Sequence, residues 1–151
     1  EEEEEEEEEE GVNRGAFDQM LRRYHRSDFA AWEAVVTCFF VDTAPVVVEY
    51  VEAIYRMLVP GGYWINLGPL LYHWTTDSEN NQDPRFNQSI ELSYEELKCV
   101  IEGYGFEFLH ESWHECTYTK CDSSMMWTQY RAVLFTVRKP VDLQRILDAS
   151  H

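Results

Sequence analysis

One acid closes an otherwise uncharged stretch: Ala34 to Asp42 reads AVVTCFFVD. An apolar run of this length, rich in Val and Phe, reads as a strand over 34–41 buried on both faces. In open α/β sheets ligands sit beyond the carboxyl ends of the strands, and Asp42 falls at that edge. A carboxylate accepts hydrogen bonds and donates none. It can serve a ligand there, or cap a helix opening at Pro45. A second set of chemically capable residues is His110, His114, Cys116 and Cys121. These are zinc-type donors, yet His110 and His114 stand about 13 Å apart along a straight strand at roughly 3.3 Å per residue. Zinc–nitrogen bonds are only about 2.0–2.1 Å, so such a strand cannot bring both to one ion. His114, Cys116 and Cys121 could meet only if a loop folds back. No C-x-x-C pair is present, and no metal is expected.

The elements that must place these residues follow from pattern. After the strand, Pro45 suits the first turn of a helix. Val47, Val51, Ile54 and Leu58 then mark one apolar face, widened by Tyr50. Pro60-Gly61-Gly62 ends that helix and turns the chain into a second short strand over 63–67. Strand, helix and strand with tight connections make the βαβ unit of a parallel sheet. Gly68-Pro69 opens a long loop, polar over 75–88. Ser93 and Glu96 form a capping box, with Leu92 and Leu97 as its hydrophobic staple. Val100, Ile101 and Tyr104 continue that helix, and Gly105 stops it. Over 106–119 the chain alternates, with Phe106, Phe108, His110, Ser112, His114 and Cys116 to one side and Leu109 and Trp113 to the other. That is a strand near a sheet edge. Residues 120–124 read as a loop and 133–137 as a last buried strand.

Charge and composition exclude some partners. The net charge of −17 is dominated by Glu1–Glu10; without that run 19 acids face 12 bases, a balance of −7. This argues against nucleic acid, whose binders carry basic patches, and gives no support for an anionic membrane. No apolar stretch approaches the roughly 18 residues of a membrane span. The opening acids do not read as a basic and apolar leader. The four cysteines, at 38, 99, 116 and 121, are therefore expected as reduced thiols, in the cytoplasm and also the nucleus. The expected organisation is an acidic low-complexity tail over 1–14, disordered because like charges repel and bury nothing. One α/β domain follows over 15–140, then a short tail over 141–151. Nine Tyr, eight Phe and five Trp suit either a well-filled core or an aromatic-lined pocket.

Several strings carry a resemblance: TCFFVDTA (37–44), LVPGGYWINLGPLLYHW (58–74), IELSYEELKCVIEGYGF (90–106), TYT (117–119), SMM (124–126) and VLFTVRKP (133–140). Together they resemble the C-terminal half of the carnosine N-methyltransferases of the N2227-like family. The resemblance implies part of the Rossmann-like fold of class I methyltransferases that use S-adenosylmethionine. Strand 34–41 would be the fourth strand and 63–67 the fifth, with an antiparallel pair at one edge. It implies methyl transfer from S-adenosylmethionine to an imidazole nitrogen of the dipeptide carnosine, giving anserine. By position, Cys38 would lie against the donor, and Phe17 would stack on its adenine. Phe39 and Asp42 would face the imidazole, and His73, Tyr118 and Tyr130 would contact the dipeptide. Ala16 stands where the family has an acid, and Thr128 where it has a further tyrosine.

The residue types suit that chemistry. Transfer from a sulfonium is an in-line displacement, and alignment of the reactants supplies roughly 7–11 kcal/mol of the barrier. An imidazole, with an unperturbed pKa of about 6.5, is mostly neutral at pH 7. Asp42 would hold its N–H, leave the other nitrogen bare, and stabilise positive charge as it develops on the ring. The same carboxylate favours the unreactive cation. The second nitrogen must therefore face the donor with no acceptor beside it. Tyr118 and Tyr130 offer ring faces to a cation. Each residue also has a plainer reading: Asp42 as a helix cap, Cys38 as a small wall residue, the tyrosines as packed aromatics.

The Gly-rich turn and the ribose-binding acid of such folds have no counterpart string here. Gly61-Gly62 follows a helix and precedes a strand, the wrong context for either. The expectation is a fragment whose partner along the open edge of 34–41 is a missing N-terminal half or a second copy. The alternative is a non-catalytic remnant serving as an interaction module.

Overall fold

The computed structural model describes residues 29–75 and 84–141. The glutamate run, Phe17 and the tail beyond Val141 lie outside the described residues. The elements are β1 (Trp32–Cys38), α1 (Val47–Met57), β2 (Leu58–Gly68), α2 (Tyr94–Gly103), β3 (Glu107–Thr119) and β4 (Thr128–Arg138). Short 3-10 turns stand at Val41–Thr43 and Pro84–Phe86. The strands form one sheet in the order β1-β2-β4-β3. β1 and β2 are parallel, and β4 pairs antiparallel with both β2 and β3. The expected parallel unit and antiparallel pair are both present.

The core lies on one face of the sheet. Trp64 of β2 and Val133, Phe135 and Val137 of β4 meet Val47, Val51 and Ile54 of α1 and Leu97 and Ile101 of α2. Two polar side chains enter this layer, and both are paired. Trp64 Nε1 donates to Thr37 Oγ1 at 2.8 Å, and that hydroxyl donates to Asn66 Oδ1 at 2.8 Å. A satisfied buried network of this kind fixes the register of β1 on β2, because a slip would leave each group unpaired.

β1 is not buried on both faces. Among the described residues it pairs only with β2, and Val36 on its second face is 68% exposed. It also ends earlier than the apolar run, at Cys38, because Phe39 takes a left-handed backbone (φ 49°) and the chain then turns through 41–43. α1 begins at Val47 rather than at Pro45. Val46 is extended and bridges Ile90, and Ile90 N–H donates to Pro45 O at 3.1 Å.

Pro60-Gly61-Gly62 does not end the helix. Leu58 already leaves it, and Lys139 Nζ donates to the carbonyls of Tyr55 and Leu58 at 2.7 and 2.8 Å. That cation satisfies acceptors a helix end leaves open. The Pro-Gly-Gly segment instead bulges within β2. The register jumps from Trp32↔Leu58 to Ala34↔Tyr63, and Gly61, at φ 86°, pairs its N–H with Lys139 O.

The second helix follows its sequence signals. Ser93 and Glu96 form the reciprocal capping box, and Leu92 and Leu97 pack into the core. Gly105, at φ 96°, turns the chain after Tyr104. β3 does not keep a single alternation. A bulge between Phe108 and His110 shifts the phase, so Phe108 packs on Phe135 while His110 pairs with Thr136. Past it, Glu111 and Trp113 face the helices, and Trp113 meets Tyr94 edge to face at 5.1 Å. An inserted residue reverses the period-2 pattern, and composition does not announce it.

Candidate active site

The two parallel strands end together. Cys38 pairs with Leu67, and Phe39 N–H donates to Leu67 O at 2.8 Å. The β3–β4 hairpin runs on past that edge: Gly68 pairs with Val133, while the ladder continues to Thr119↔Thr128. Three rings meet at this overhang. The Phe39 centroid lies 5.2 Å from Tyr118 and 5.7 Å from Tyr130, and the two tyrosines are 6.1 Å apart. Two backbone departures bring them there. One is the left-handed Phe39, and the other is a bulge at Tyr118, between Thr117↔Gln129 and Thr119↔Thr128. Bulges beside functional sites commonly re-aim a side chain in this way. At these separations the rings pack on one another. A ligand would therefore lie against the outer surface of the cluster, where Tyr118 is 63% exposed.

Asp42 is 4% exposed, in the turn that follows Phe39 and Phe40. Its Oδ2 accepts the N–H of Leu71 at 3.0 Å, and its backbone oxygen accepts the N–H of His73 at 3.2 Å. Trp74 Nε1 donates to Thr43 O at 2.8 Å, and Tyr72 donates its hydroxyl to Leu92 O at 2.9 Å. Burial, foremost, pushes the Tyr72 phenol above its ordinary value, which keeps it a donor. The loop carrying His73 is thus stitched to the Asp42 turn on one side and to the start of α2 on the other. Asp42 does not cap α1, whose N-cap is Val46 without a side-chain bond.

The structure brings Phe39, Tyr118 and Tyr130 into one cluster and ties His73 to Asp42 through the backbone. The His73 side chain is exposed. Cys38 adjoins a different feature. With Val36, Phe40, Tyr50, Ala53 and Met57 it lines a groove of about 410 Å³ between β1 and α1. Phe17 lies outside the described residues. Sequence reading missed the anchoring by Leu71, Tyr72 and Trp74. The only available signal was the string LLYHW, in which Tyr72 and Trp74 bond through their side chains and Leu71 and His73 through their backbone N–H groups. His110 and His114 share Ser112, with Nε2–Oγ distances of 3.2 and 2.8 Å. Among the described residues no three His, Cys, Asp or Glu side chains are grouped to hold an ion. The four cysteines are free thiols.

The family model for carnosine N-methyltransferase matches residues 5–141. The chain belongs to the carnosine N-methyltransferase family. It is 50% identical over 115 residues to the carnosine N-methyltransferase of Mus musculus, covering 76% of this chain and 27% of that protein. The Drosophila melanogaster protein, carnosine N-methyltransferase unmet, is 39% identical over 111 residues, 73% of this chain and 23% of its own length. The chain thus spans about a quarter of the length of these relatives. Among solved structures, a SAM-dependent methyltransferase from Methanosarcina mazei aligns with a TM-score of 0.52 at 14% identity, covering 76% of this chain and 62% of that one. A structure described by the conversion of a disulfide bond into a thioacetal group during echinomycin biosynthesis aligns at 0.53 and 10% identity, covering 82% and 56%. At such identities the likeness concerns the fold alone. This carnosine N-methyltransferase family member therefore has part of the Rossmann-like α/β fold of SAM-dependent methyltransferases.

The residues fit the methyl donor of that fold in part. The groove beside Cys38 is apolar and within the size of ligand pockets, roughly 300–1,000 Å³. Its lining is mainly aliphatic and aromatic, with Cys38 and the Thr37 hydroxyl as the exceptions; this suits an apolar or purine group, and it offers no acid for ribose hydroxyls.

Proposed function

We propose that the chain forms the acceptor side of an S-adenosylmethionine-dependent N-methyltransferase acting on the imidazole of carnosine or a related His-containing dipeptide. The observation that carries this reading is the gathering of Phe39, Tyr118 and Tyr130 at the carboxyl end of the parallel strands, next to the turn that buries Asp42. When bound, the donor supplies a methyl group on a sulfonium. Every other part of the reaction is placement and charge.

Asp42 is the proposed catalytic group. Leu71 N–H holds Oδ2 and so fixes the carboxylate plane. The carboxylate then takes the ring N–H of the acceptor, which keeps the proton off the attacking nitrogen. It also stabilises the positive charge that appears on the ring as the bond forms. Tyr118 and Tyr130 present ring faces to that charge and hydroxyls to the peptide. His73, held by Asp42 O, contacts the dipeptide from the loop. Cys38 and the groove beside it take the donor's apolar parts, so consecutive residues of one strand end serve the two reactants. Phe17 belongs with the donor side of the proposal, as does a location in cytoplasm and nucleus.

Titration of this chain with carnosine, followed by NMR, tests the reading. Carnosine should bind, and neutral anserine, which has no ring N–H for Asp42, should bind more weakly. Asp42→Asn keeps an oxygen for Leu71 N–H but removes the charge facing the ring, and should weaken carnosine by about tenfold or more, the worth of a charged hydrogen bond. Equal binding of carnosine by Asp42→Asn defeats the assignment. A second reading, an interaction module without catalysis, draws on the exposed apolar Trp32 and Val36 at the β1 edge. It is favoured if neither dipeptide binds.

A further inference from the structure

Gly68 closes β2 beside the ring cluster, and its own backbone has no positive φ to explain a glycine there. The constraint comes from across the strand. A Cβ on Gly68 would stand 3.1 Å from Phe39 N and 3.2 Å from Phe39 Cα. Both are backbone atoms, so no rotamer change relieves the contact. Phe39 is also the residue in a conformation that a bulky side chain rarely holds, at φ 49°. Such a backbone persists only where its surroundings over-determine it, and it concentrates at functional sites. The surroundings here are few: the hydrogen bond from Phe39 N–H to Leu67 O, the close floor made by Gly68, and the two tyrosine rings.

We propose that Gly68 is a positioning residue for the acceptor site, its missing side chain being what lets Phe39 stay left-handed and hold Tyr118 and Tyr130 together. The placement of Gly68 against Phe39 stands on its own geometry; its consequence for the acceptor rests on the reading under Proposed function. A displacement of Phe39 by a few tenths of an ångström stretches its bond to Leu67 O. The residue then falls into the extended region favoured by aromatic side chains, and the ring swings off the tyrosines. The effect is local, because the Trp64–Thr37–Asn66 network lies in the helix-covered layer and does not involve Phe39.

The test is a cycle of Gly68→Ala, Phe39→Gly and the double variant in this chain, read by ring-to-ring NMR contacts and by carnosine titration. Gly68→Ala should lose the contacts of Phe39 with Tyr118 and Tyr130 while the Trp64 indole N–H resonance keeps its position. Carnosine binding should weaken by about tenfold, the usual worth of an aromatic anchor. Phe39→Gly should lose binding to the same extent, and the double variant should bind no worse than Phe39→Gly alone. If Gly68→Ala does not fold, the double variant should, since a glycine at 39 tolerates both backbone regions. Retention of the three-ring contacts in Gly68→Ala overturns the proposal. So do additive losses in the double variant, or failure of both Gly68 variants to fold. If the unaltered chain binds no carnosine, the ring contacts alone decide this proposal, and it is the functional reading that falls.

Discussion

Trp64 and Phe135 meet edge to face at 5.0 Å with neither ring exposed, while Phe39 and Tyr118 meet at 5.2 Å with Tyr118 63% exposed. The first pair sits in regular strands, in a layer sealed by two helices. The second depends on a left-handed residue and a bulge, at a strand end. In the core, aromatic area removed from water stabilises the fold at little conformational cost. At the rim the backbone carries strain, and much of the ring surface stays in water. The arrangement at the rim is therefore poor at stabilising the chain and well suited to offering pre-placed rings to something else.

The sharpest way to break this contrast is to truncate one ring from each group. Phe135→Ala should cost about 3–5 kcal/mol of unfolding free energy in a denaturant melt, the range for a fully buried aromatic. Tyr118→Ala should cost within about 0.5 kcal/mol, as an exposed side chain does, while carnosine binding is lost in the titration. Comparable stability losses for the two would mean that the rim cluster is ordinary packing and would remove its claim to function.

The smallest expected effect concerns the clasp between α2 and β3. Lys98 Nζ and the Tyr94 hydroxyl both bond to Glu111 Oε2, at 2.7 and 2.9 Å. Lys98, then Tyr94, hold the Glu111 carboxyl below its ordinary value. Its contribution is thus complete above the ordinary carboxylate range and is lost as pH falls through the depressed folded value. Melts recorded down the acid range should show a slightly flatter pH dependence for Glu111→Gln than for the parent, and no difference in carnosine binding. The clasp lies on the helix-covered face, so a binding change would join two regions that the structure keeps apart.

Local pattern was enough for the elements whose causes are local. The βαβ unit follows from an apolar run, a helical face and a second run close together. The Ser93–Glu96 box marks the start of α2 because both partners lie within one turn. The strings around Asp42, His73 and Tyr118 were enough for the family, since they are long and unusual. Tertiary structure decided the rest. Whether β1 is covered depends on which strands pair with it, and period alone does not report neighbours. Pro60-Gly61-Gly62 reads as a turn that ends the helix, and the pairing of its strand with β1 and with Lys139 made it a bulge instead. The phase of β3 turned on inserted residues. Asp42 became the anchor of the His73 loop rather than a helix cap because Leu71 arrives from 29 residues away. The left-handed Phe39 has no signature in residue types at all: it exists because Gly68, on the adjacent strand, leaves the space for it.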